Sequence, residues 1–128
     1  MRVLALDYGT ARCGCAISDP SGTLVRPLAP VEPPDAEVIA ELVSAEGAER
    51  VVVGLPTTLS GEEGEQAELS RAFAAELSEL LDVPVDTYDE RLTTRMAEES
   101  ARRGARADRD SLAAAHLLES YLMSREDH

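Results

Sequence analysis

The sequence predicts an α/β domain with a mixed sheet: a three-strand meander followed by two crossover strands, with helices on both faces. Two observations lead to this prediction. The first three apolar runs are short and separated by turn residues, whereas the later runs are separated by segments of helical length. Strands joined by tight turns pair antiparallel and strands joined through a helix pair parallel, so one sheet should contain both kinds of pairing. The length of 128 residues fits a single domain over 1–128.

The N-terminal quarter of the chain predicts the meander. Residues 3–6 form an apolar run of strand length that ends at Asp7, and residues 13–17 form a second run. A cluster of turn residues closes the second strand and leads to a third strand over 23–26. Four prolines follow within residues 27–34, and they predict a stiff linker in place of a regular element.

The rest of the chain alternates between predicted helices and strands. Asp35 is a suitable N-cap and Gly47 a suitable stop for a helix over 36–46. A helix over 65–81 has apolar residues spaced by three and four, namely Leu69, Phe73, Leu77, Leu80 and Leu81. The other predicted elements are strands over 51–53 and 83–88, a polar loop over 57–64, and helices over 93–103 and 111–123.

The composition restricts the class of protein. The chain is 44% hydrophobic and can bury a core, but no run approaches the ~18–20 apolar residues that span a bilayer. Asp7 follows too soon after the N-terminus for a signal peptide, so a cytoplasmic protein without membrane association is expected. Cys13 and Cys15 are the two cysteines, and we expect them to be small buried side chains in a reducing compartment.

The net charge is −13, which argues against a general nucleic-acid coat protein because phosphate binding needs cations. The charge is unevenly distributed. Residues 32–90 hold two Arg against sixteen acids, whereas residues 91–109 hold six Arg against three acids. We interpret the acidic block as a solvated surface and the arginine-rich segment as a candidate for substrate binding.

Three acids lie where a carboxylate is unexpected on structural grounds. Asp7 directly follows the first strand, at the end where α/β sheets hold ligands, although Asp-x-Gly also occurs in ordinary turns. Glu90 follows the strand over 83–88 and is preferred to the adjacent Asp89, which would point to the opposite face; either acid could instead cap the next helix. Asp110 begins the last helix, where it suits an N-cap but also shares a face with an apolar stripe. That stripe consists of Ala114, Leu117, Leu118 and Tyr121.

Converging carboxylates repel one another, and a divalent cation removes that repulsion. Oxygen ligands favour Mg²⁺ or Mn²⁺ over zinc, and two such ions about 4 Å apart can activate a water and stabilise the leaving oxygen of a phosphodiester. This chemistry needs no histidine. His116 lies six residues beyond Asp110, far around the helix, and His128 is terminal, so both are interpreted as incidental.

The chain contains four motifs in a fixed order. The opening signature covers residues 7–19 (DYGTARCGCAISD), and residues 53–56 (VGLP) follow with Gly61 downstream. The third motif is 89–94 (DERLTT), and the fourth runs from Asp110-Ser111 to the segment LESYL at 118–122. Together these motifs resemble the YqgF/RuvX family of pre-16S rRNA nucleases, which are related to Holliday junction resolvases, and the resemblance spans nearly the whole chain.

The resemblance implies an RNase H-like fold and an endonuclease that processes the 5′ end of the 16S rRNA precursor, a structured RNA. It also implies that Asp7, Glu90 and Asp110 form the acidic catalytic and metal-binding site. Arg12 and Arg91 belong to the motifs and are candidate substrate ligands; alternatively, Arg12 pairs with Asp19 or another acid, and Arg91 orients Glu90. The remaining candidate substrate ligands depart from the family, with Thr58 in place of a usual Asn and Arg102, Arg103, Arg106 and Arg109 in a segment that is usually Lys-rich.

Other functions remain open at this point. Branched DNA is an alternative substrate, and a non-catalytic RNA-binding module of ribosome assembly is an alternative function. A nucleotide-binding domain of the actin-like ATPase type also begins with Asp-x-Gly after its first strand, but this chain would supply one lobe of such a two-lobed protein. Both a monomer and a homodimer are compatible with the sequence.

Overall fold

The computed structural model describes residues 1–56, 64–89 and 109–126, without the side chains of residues 109, 110 and 126. Within these ranges the elements are β1 (Val3–Tyr8), β2 (Cys13–Ser18), β3 (Val25–Val31), α1 (Ala36–Glu46), β4 (Arg50–Leu55), α2 (Glu65–Leu80), β5 (Val85–Asp89) and α3 (Arg109–Glu126). The predicted helix over 93–103 and nearly all of the predicted loop over 57–64 lie outside the described residues.

The five strands form one sheet in the order β3-β2-β1-β4-β5. The pairs β1–β2 and β2–β3 are antiparallel, and the pairs β1–β4 and β4–β5 are parallel. The prediction of a mixed sheet, with a meander and two crossover strands, is therefore confirmed. The sheet brings the carboxyl ends of β1, β4 and β5 to one edge, where α/β sheets commonly hold ligands.

The third strand differs from its prediction. It runs from Val25 to Val31, so Pro27 and Pro30 belong to a strand, and the expected linker over 27–34 is wrong in its first part. The physical reason is position, because β3 is an edge strand and one side of its backbone needs no strand partner. Its pairing to β2 is irregular between Cys13 and Cys15, where a bulge accommodates the proline-rich strand.

The first helix is confirmed with the bounds and caps that the sequence predicts. The Asp35 carboxylate accepts a hydrogen bond of 2.8 Å from the Glu37 backbone N–H. Gly47 ends the helix at φ 67°, a left-handed conformation that favours glycine. Its backbone N–H donates hydrogen bonds to the carbonyls of Val43 and Ser44 in the last turn.

The second helix ends at Leu80, and part of its predicted apolar face is wrong. Leu69 and Leu80 are 38% and 49% exposed, whereas Phe73 and Leu77 are buried as predicted. Small residues instead complete the buried face, which consists of Ala67, Ser70, Phe73, Ala74 and Leu77. The small side chains allow the helix axis to approach the sheet closely, and this favours the alanine face over a leucine face.

Each face of the sheet packs against its own layer of helices. One core joins alternate strand residues such as Leu6 and Val53 to α1 and α2. It includes Cys13 and Cys15, which form no disulfide and are both 0% exposed, so their predicted burial is confirmed. The opposite core joins Val3 and Ala5 to α3. Among the described helices, none combines the length and the hydropathy needed to cross a membrane.

Candidate active site

Asp7 lies on the face of the sheet that α3 covers. Val3 and Ala5 are buried in the α3 core, and the alternation of side chains along β1 places Asp7 on the same face, where it is half-buried. Asp7 pairs with Gly14 on the neighbouring strand β2. On the other side, β1 pairs with β4 up to Leu6 opposite Val53, so the next β4 residue, Gly54, lies beside Asp7. Asp7 is thus flanked by two glycines, which place no side chain beside it.

The start of α3 is fixed next to this position. Ser111 is 1% exposed, and its hydroxyl donates a hydrogen bond of 2.6 Å to the Leu28 carbonyl on β3. The same oxygen accepts a longer hydrogen bond of 3.5 Å from the Cys15 backbone N–H on β2. Both partners adjoin the bulge that contains Gly14, the residue opposite Asp7.

Asp110 directly precedes Ser111, so its backbone lies at the end of α3 that Ser111 fixes; its side chain is outside the described part of the structure. The apolar stripe that the sequence assigns to this helix is confirmed, because Ala114, Leu117, Leu118 and Tyr121 are all buried against the sheet. The helix is longer than predicted and extends from Arg109 to Glu126.

Of the two acids at the end of β5, Asp89 is within the described residues and Glu90 is not. Tyr88 packs edge-on against Tyr121 of α3, with ring centroids 5.7 Å apart, and its hydroxyl lies 2.9 Å from the Ser120 hydroxyl. Tyr88 therefore faces α3, and by alternation Asp89 lies on the opposite face from Asp7. Glu90 is outside the described residues, so its role remains a prediction.

A pocket of about 370 Å³ opens beside Asp7. It is lined by Asp7, Tyr8, the loop of residues 9–12, Pro56 and Gln66. The loop is closed by a hydrogen bond of 2.9 Å from the Gly9 N–H to the Arg12 carbonyl. A Cβ atom at Gly9 would lie 2.9 Å from that carbonyl oxygen, so the tight turn requires glycine.

Arg12 is the predicted substrate ligand that the structure places in this pocket, with an exposed side chain. The alternative pairing of Arg12 with Asp19 is wrong, because the two residues lie at opposite ends of β2, roughly 20 Å apart at ~3.3 Å per residue. The Asp19 carboxylate accepts hydrogen bonds from Ser21 and from the backbone of Thr23 and Leu24, and these lower its pKa. Asp19 therefore stabilises the β2–β3 turn.

The sequence assigned no role to Gln66 or Tyr8, which the structure joins across 58 positions. The Gln66 side-chain amide donates a hydrogen bond of 3.0 Å to the Tyr8 carbonyl, and the Tyr8 ring stacks on Phe73 at 4.4 Å. Tyr8 belongs to the opening motif, but no local sequence pattern predicts its contact with Gln66.

The other predicted substrate ligands lie outside the described residues or lack a described side chain. Thr58, Arg91, Arg102, Arg103 and Arg106 belong to the first group, and Arg109 belongs to the second. Among the described side chains, no three or more His, Cys, Asp or Glu groups are arranged so that they could hold a metal ion.

His116, for which the sequence predicts no function, is buried in α3. The residue is 7% exposed, and neither ring nitrogen has a hydrogen-bond partner in the described part of the chain. The nearest carboxylate oxygen, on Glu119, lies 3.9 Å away. Its position six residues beyond Asp110 separates it from the start of the helix, as expected. His128 is outside the described residues.

Solved structures similar to this chain have the same architecture. RuvC of Thermus thermophilus in complex with a Holliday junction substrate aligns with a TM-score of 0.67 at 17% identity, covering 99% of this chain and 96% of that one. The fowlpox virus Holliday junction resolvase aligns with a TM-score of 0.59 at 12% identity, covering 97% and 99%. At these identities the similarity establishes the fold, which is RNase H-like, as the motif resemblance implied.

Sequence relatives extend over the full length. A protein of Chloroflexus aurantiacus named "Putative pre-16S rRNA nuclease" is 41% identical over 136 aligned positions, covering 98% of this chain and 89% of its own length. A protein of the same name from Rubrobacter xylanophilus is 45% identical over 130 positions, covering 94% and 91%. A family model described as "RuvX: Holliday junction resolvase" matches residues 1–124. The chain therefore belongs to the RuvX family.

Proposed function

We propose that this protein is a divalent-metal-dependent endonuclease that hydrolyses a phosphodiester bond in structured RNA and processes the 5′ end of the 16S rRNA precursor. One observation carries the proposal. Asp7 lies at the carboxyl end of β1 between two glycines, and Ser111 fixes the start of α3, where Asp110 lies, beside the same point. The relatives that carry the name of a pre-16S rRNA nuclease support the choice of substrate.

The proposed ligands of Mg²⁺ or Mn²⁺ are Asp7, Glu90 and Asp110. The donor set fits such an ion, because carboxylate oxygens are hard ligands and the two residues paired beside Asp7 are glycines without side chains. Asp89 lies on the face of β5 away from α3, which leaves Glu90 as the acid expected near Asp7. A bound divalent ion would supply an activated water and stabilise the leaving oxygen.

The protein's own groups have distinct proposed roles. Arg12 binds substrate phosphate from the loop after β1, and Arg91, Thr58 and the arginines at 102, 103, 106 and 109 contact the nucleic-acid backbone. An arginine can bind phosphate bidentately, so a short cluster suffices to orient a strand. We place this activity in the cytoplasm, because the buried free thiols Cys13 and Cys15 suit a reducing compartment.

Branched DNA is a second candidate substrate. The observation in its favour is the family model, which describes RuvX as a Holliday junction resolvase. The two substrates would be recognised differently, because sequence or groove contacts differ between RNA and DNA while the phosphodiester chemistry is the same.

One comparison tests the proposal. Purified protein is incubated with labelled 16S rRNA precursor and with a four-way DNA junction, in Mn²⁺ and in chelator, for the wild type, Asp7→Asn and the exposed control Asp82→Asn. We expect metal-dependent cleavage of the RNA, about 100-fold or more slower in Asp7→Asn and unchanged in Asp82→Asn. Asp7→Asn cleaving as fast as the control would refute the assignment of Asp7, and cleavage of the junction alone would favour the second substrate.

A further inference from the structure

The loop after β1 is fixed by a contact from a distant part of the chain. The Tyr8 carbonyl lies beyond the last recorded pair between β1 and β4, Leu6 opposite Val53, and accepts a hydrogen bond from the Gln66 side chain. An inward-facing backbone carbonyl requires a partner, and Gln66 supplies it where the strand pairing ends. Gln66 is half-buried in the first turn of α2, so the helix fixes its position.

A second contact joins the same two elements. The Tyr8 ring stacks on Phe73 of α2 at a centroid distance of 4.4 Å, and Phe73 is buried in the core with Leu6 and Leu77. Tyr8 is therefore held through both its backbone and its ring. Because Tyr8 directly precedes the four-residue loop of 9–12, these contacts determine the direction in which the loop leaves the sheet.

The pocket beside this loop has one positive group among its described lining residues, Arg12, and one acid, Asp7. Its volume of about 370 Å³ lies in the range of pockets that hold small ligands, ~300–1,000 Å³. Asp7 lies on the α3 face of β1, whereas the Tyr8 ring stacks on α2, the helix that also carries Gln66. The residues that line the pocket therefore come from both faces of β1. A nucleic-acid strand that crosses this edge of the sheet would place successive phosphates on the two sides.

We propose that this pocket binds the substrate phosphate adjacent to the cleaved one, with Arg12 as its ligand and Gln66 as the positioning residue that fixes the Arg12 loop. The inference rests on the proposed function, because it assumes that Asp7 marks the point of hydrolysis. Gln66 acts through Arg12, so removing either side chain should weaken binding, but removing both should weaken it no further than the loss of Arg12 alone.

The test is a double-mutant cycle with Arg12→Gln, Gln66→Met, the combined variant and the exposed control Leu69→Met on the same helix. Dissociation constants for labelled precursor RNA are measured in chelator, where no cleavage occurs, over a series of salt concentrations. We expect each single variant to bind RNA about tenfold more weakly. The plot of the logarithm of the binding constant against the logarithm of the salt concentration should become less steep by about 1, the change expected for the loss of one phosphate contact. The combined variant should match Arg12→Gln, and Leu69→Met should match the wild type.

Other outcomes overturn the inference. Gln66→Met binding as well as the wild type, or a combined variant about 100-fold weaker because the two effects add, would exclude positioning through Arg12. Gln66→Leu, which removes the donor without adding a charge, replaces Gln66→Met if the latter does not fold. If the wild type binds RNA but does not cleave it, the proposed nuclease activity is refuted, and the double-mutant cycle can still be measured. If the wild type cleaves RNA but the effects of the two substitutions add, only the positioning role of Gln66 is refuted. No binding at all would overturn both.

Discussion

Ser111→Ala tests whether the start of α3 is held in place for function. The substitution removes a hydroxyl that donates a hydrogen bond of 2.6 Å to the Leu28 carbonyl and accepts one from the Cys15 backbone N–H. A neutral hydrogen bond contributes about 0.5–1.5 kcal/mol, and an acceptor left without a partner adds to the cost. Leu28 is half-buried, so water can replace part of the loss, and we expect the free energy of unfolding to fall by about 1–2 kcal/mol. For a domain of 128 residues this corresponds to a decrease in Tm of about 4–7 °C.

The activity of Ser111→Ala should fall further than its stability explains. Asp110 directly precedes Ser111, and a displacement of about 1 Å in a catalytic group can reduce the rate about 100-fold. The control is Val43→Ala in α1, a buried residue in the core on the opposite face of the sheet, where a comparable loss of about 1–2 kcal/mol is expected. Unfolding is followed by calorimetry and RNA cleavage in Mn²⁺ is measured well below both Tm values. Equal cleavage rates in the two variants would refute the positioning role of Ser111.

Two further substitutions test other parts of the structure. Gly9→Ala should lower the free energy of unfolding by about 1–3 kcal/mol and weaken RNA binding, because the new Cβ would lie 2.9 Å from the Arg12 carbonyl. The control Gly64→Ala, whose Cβ would meet no atom within 4 Å among the described residues, should leave RNA binding unchanged. Burial alone would raise the pKa of Asp86, but hydrogen bonds from Tyr121, at 2.6 Å, and from Arg50 outweigh burial and lower it. This stabilisation is complete above the unfolded pKa of about 3.9 and is lost as pH falls through the lower folded pKa. Denaturant titrations should therefore show Asp86→Asn less stable than the wild type at pH 7, with the difference shrinking below about pH 4, and a difference independent of pH would contradict the assignment.

The sequence predicted those parts of the fold whose local pattern and tertiary environment agree. The helix over 36–46 carries its own cap and stop at Asp35 and Gly47, so its bounds follow from local chemistry. The stripe on α3 was also predictable, because a helix packed on a sheet buries one face with a fixed period. The same periodicity predicts that Asp110 lies on this face, whereas its residue type suits an ordinary cap equally well; its side chain is outside the described part of the structure.

The errors arise where tertiary position overrides the local pattern. Prolines normally end a strand, but Pro27 and Pro30 lie in the edge strand β3, and no local signal states that a strand will be at an edge. Leucine spacing predicted the buried face of α2, yet Leu69 and Leu80 are exposed because small residues fit the close contact with the sheet. The contact between Gln66 and Tyr8 joins residues 58 apart, so only the folded chain brings it into view.

The strongly acidic surface restricts where a nucleic-acid strand can approach this protein. The glutamates exposed on α1 and α2 are Glu37, Glu41, Glu65, Glu68, Glu76 and Glu79. Their outer surface repels a polyanion, so a nucleic-acid strand should approach at the edge where β1 ends and Arg12 lies. Repulsion from one face and attraction at one edge restrict the orientations in which the substrate can bind. The net charge of −13 should therefore lower non-specific binding, whereas Arg12 provides a cation in the pocket that Asp7 also lines.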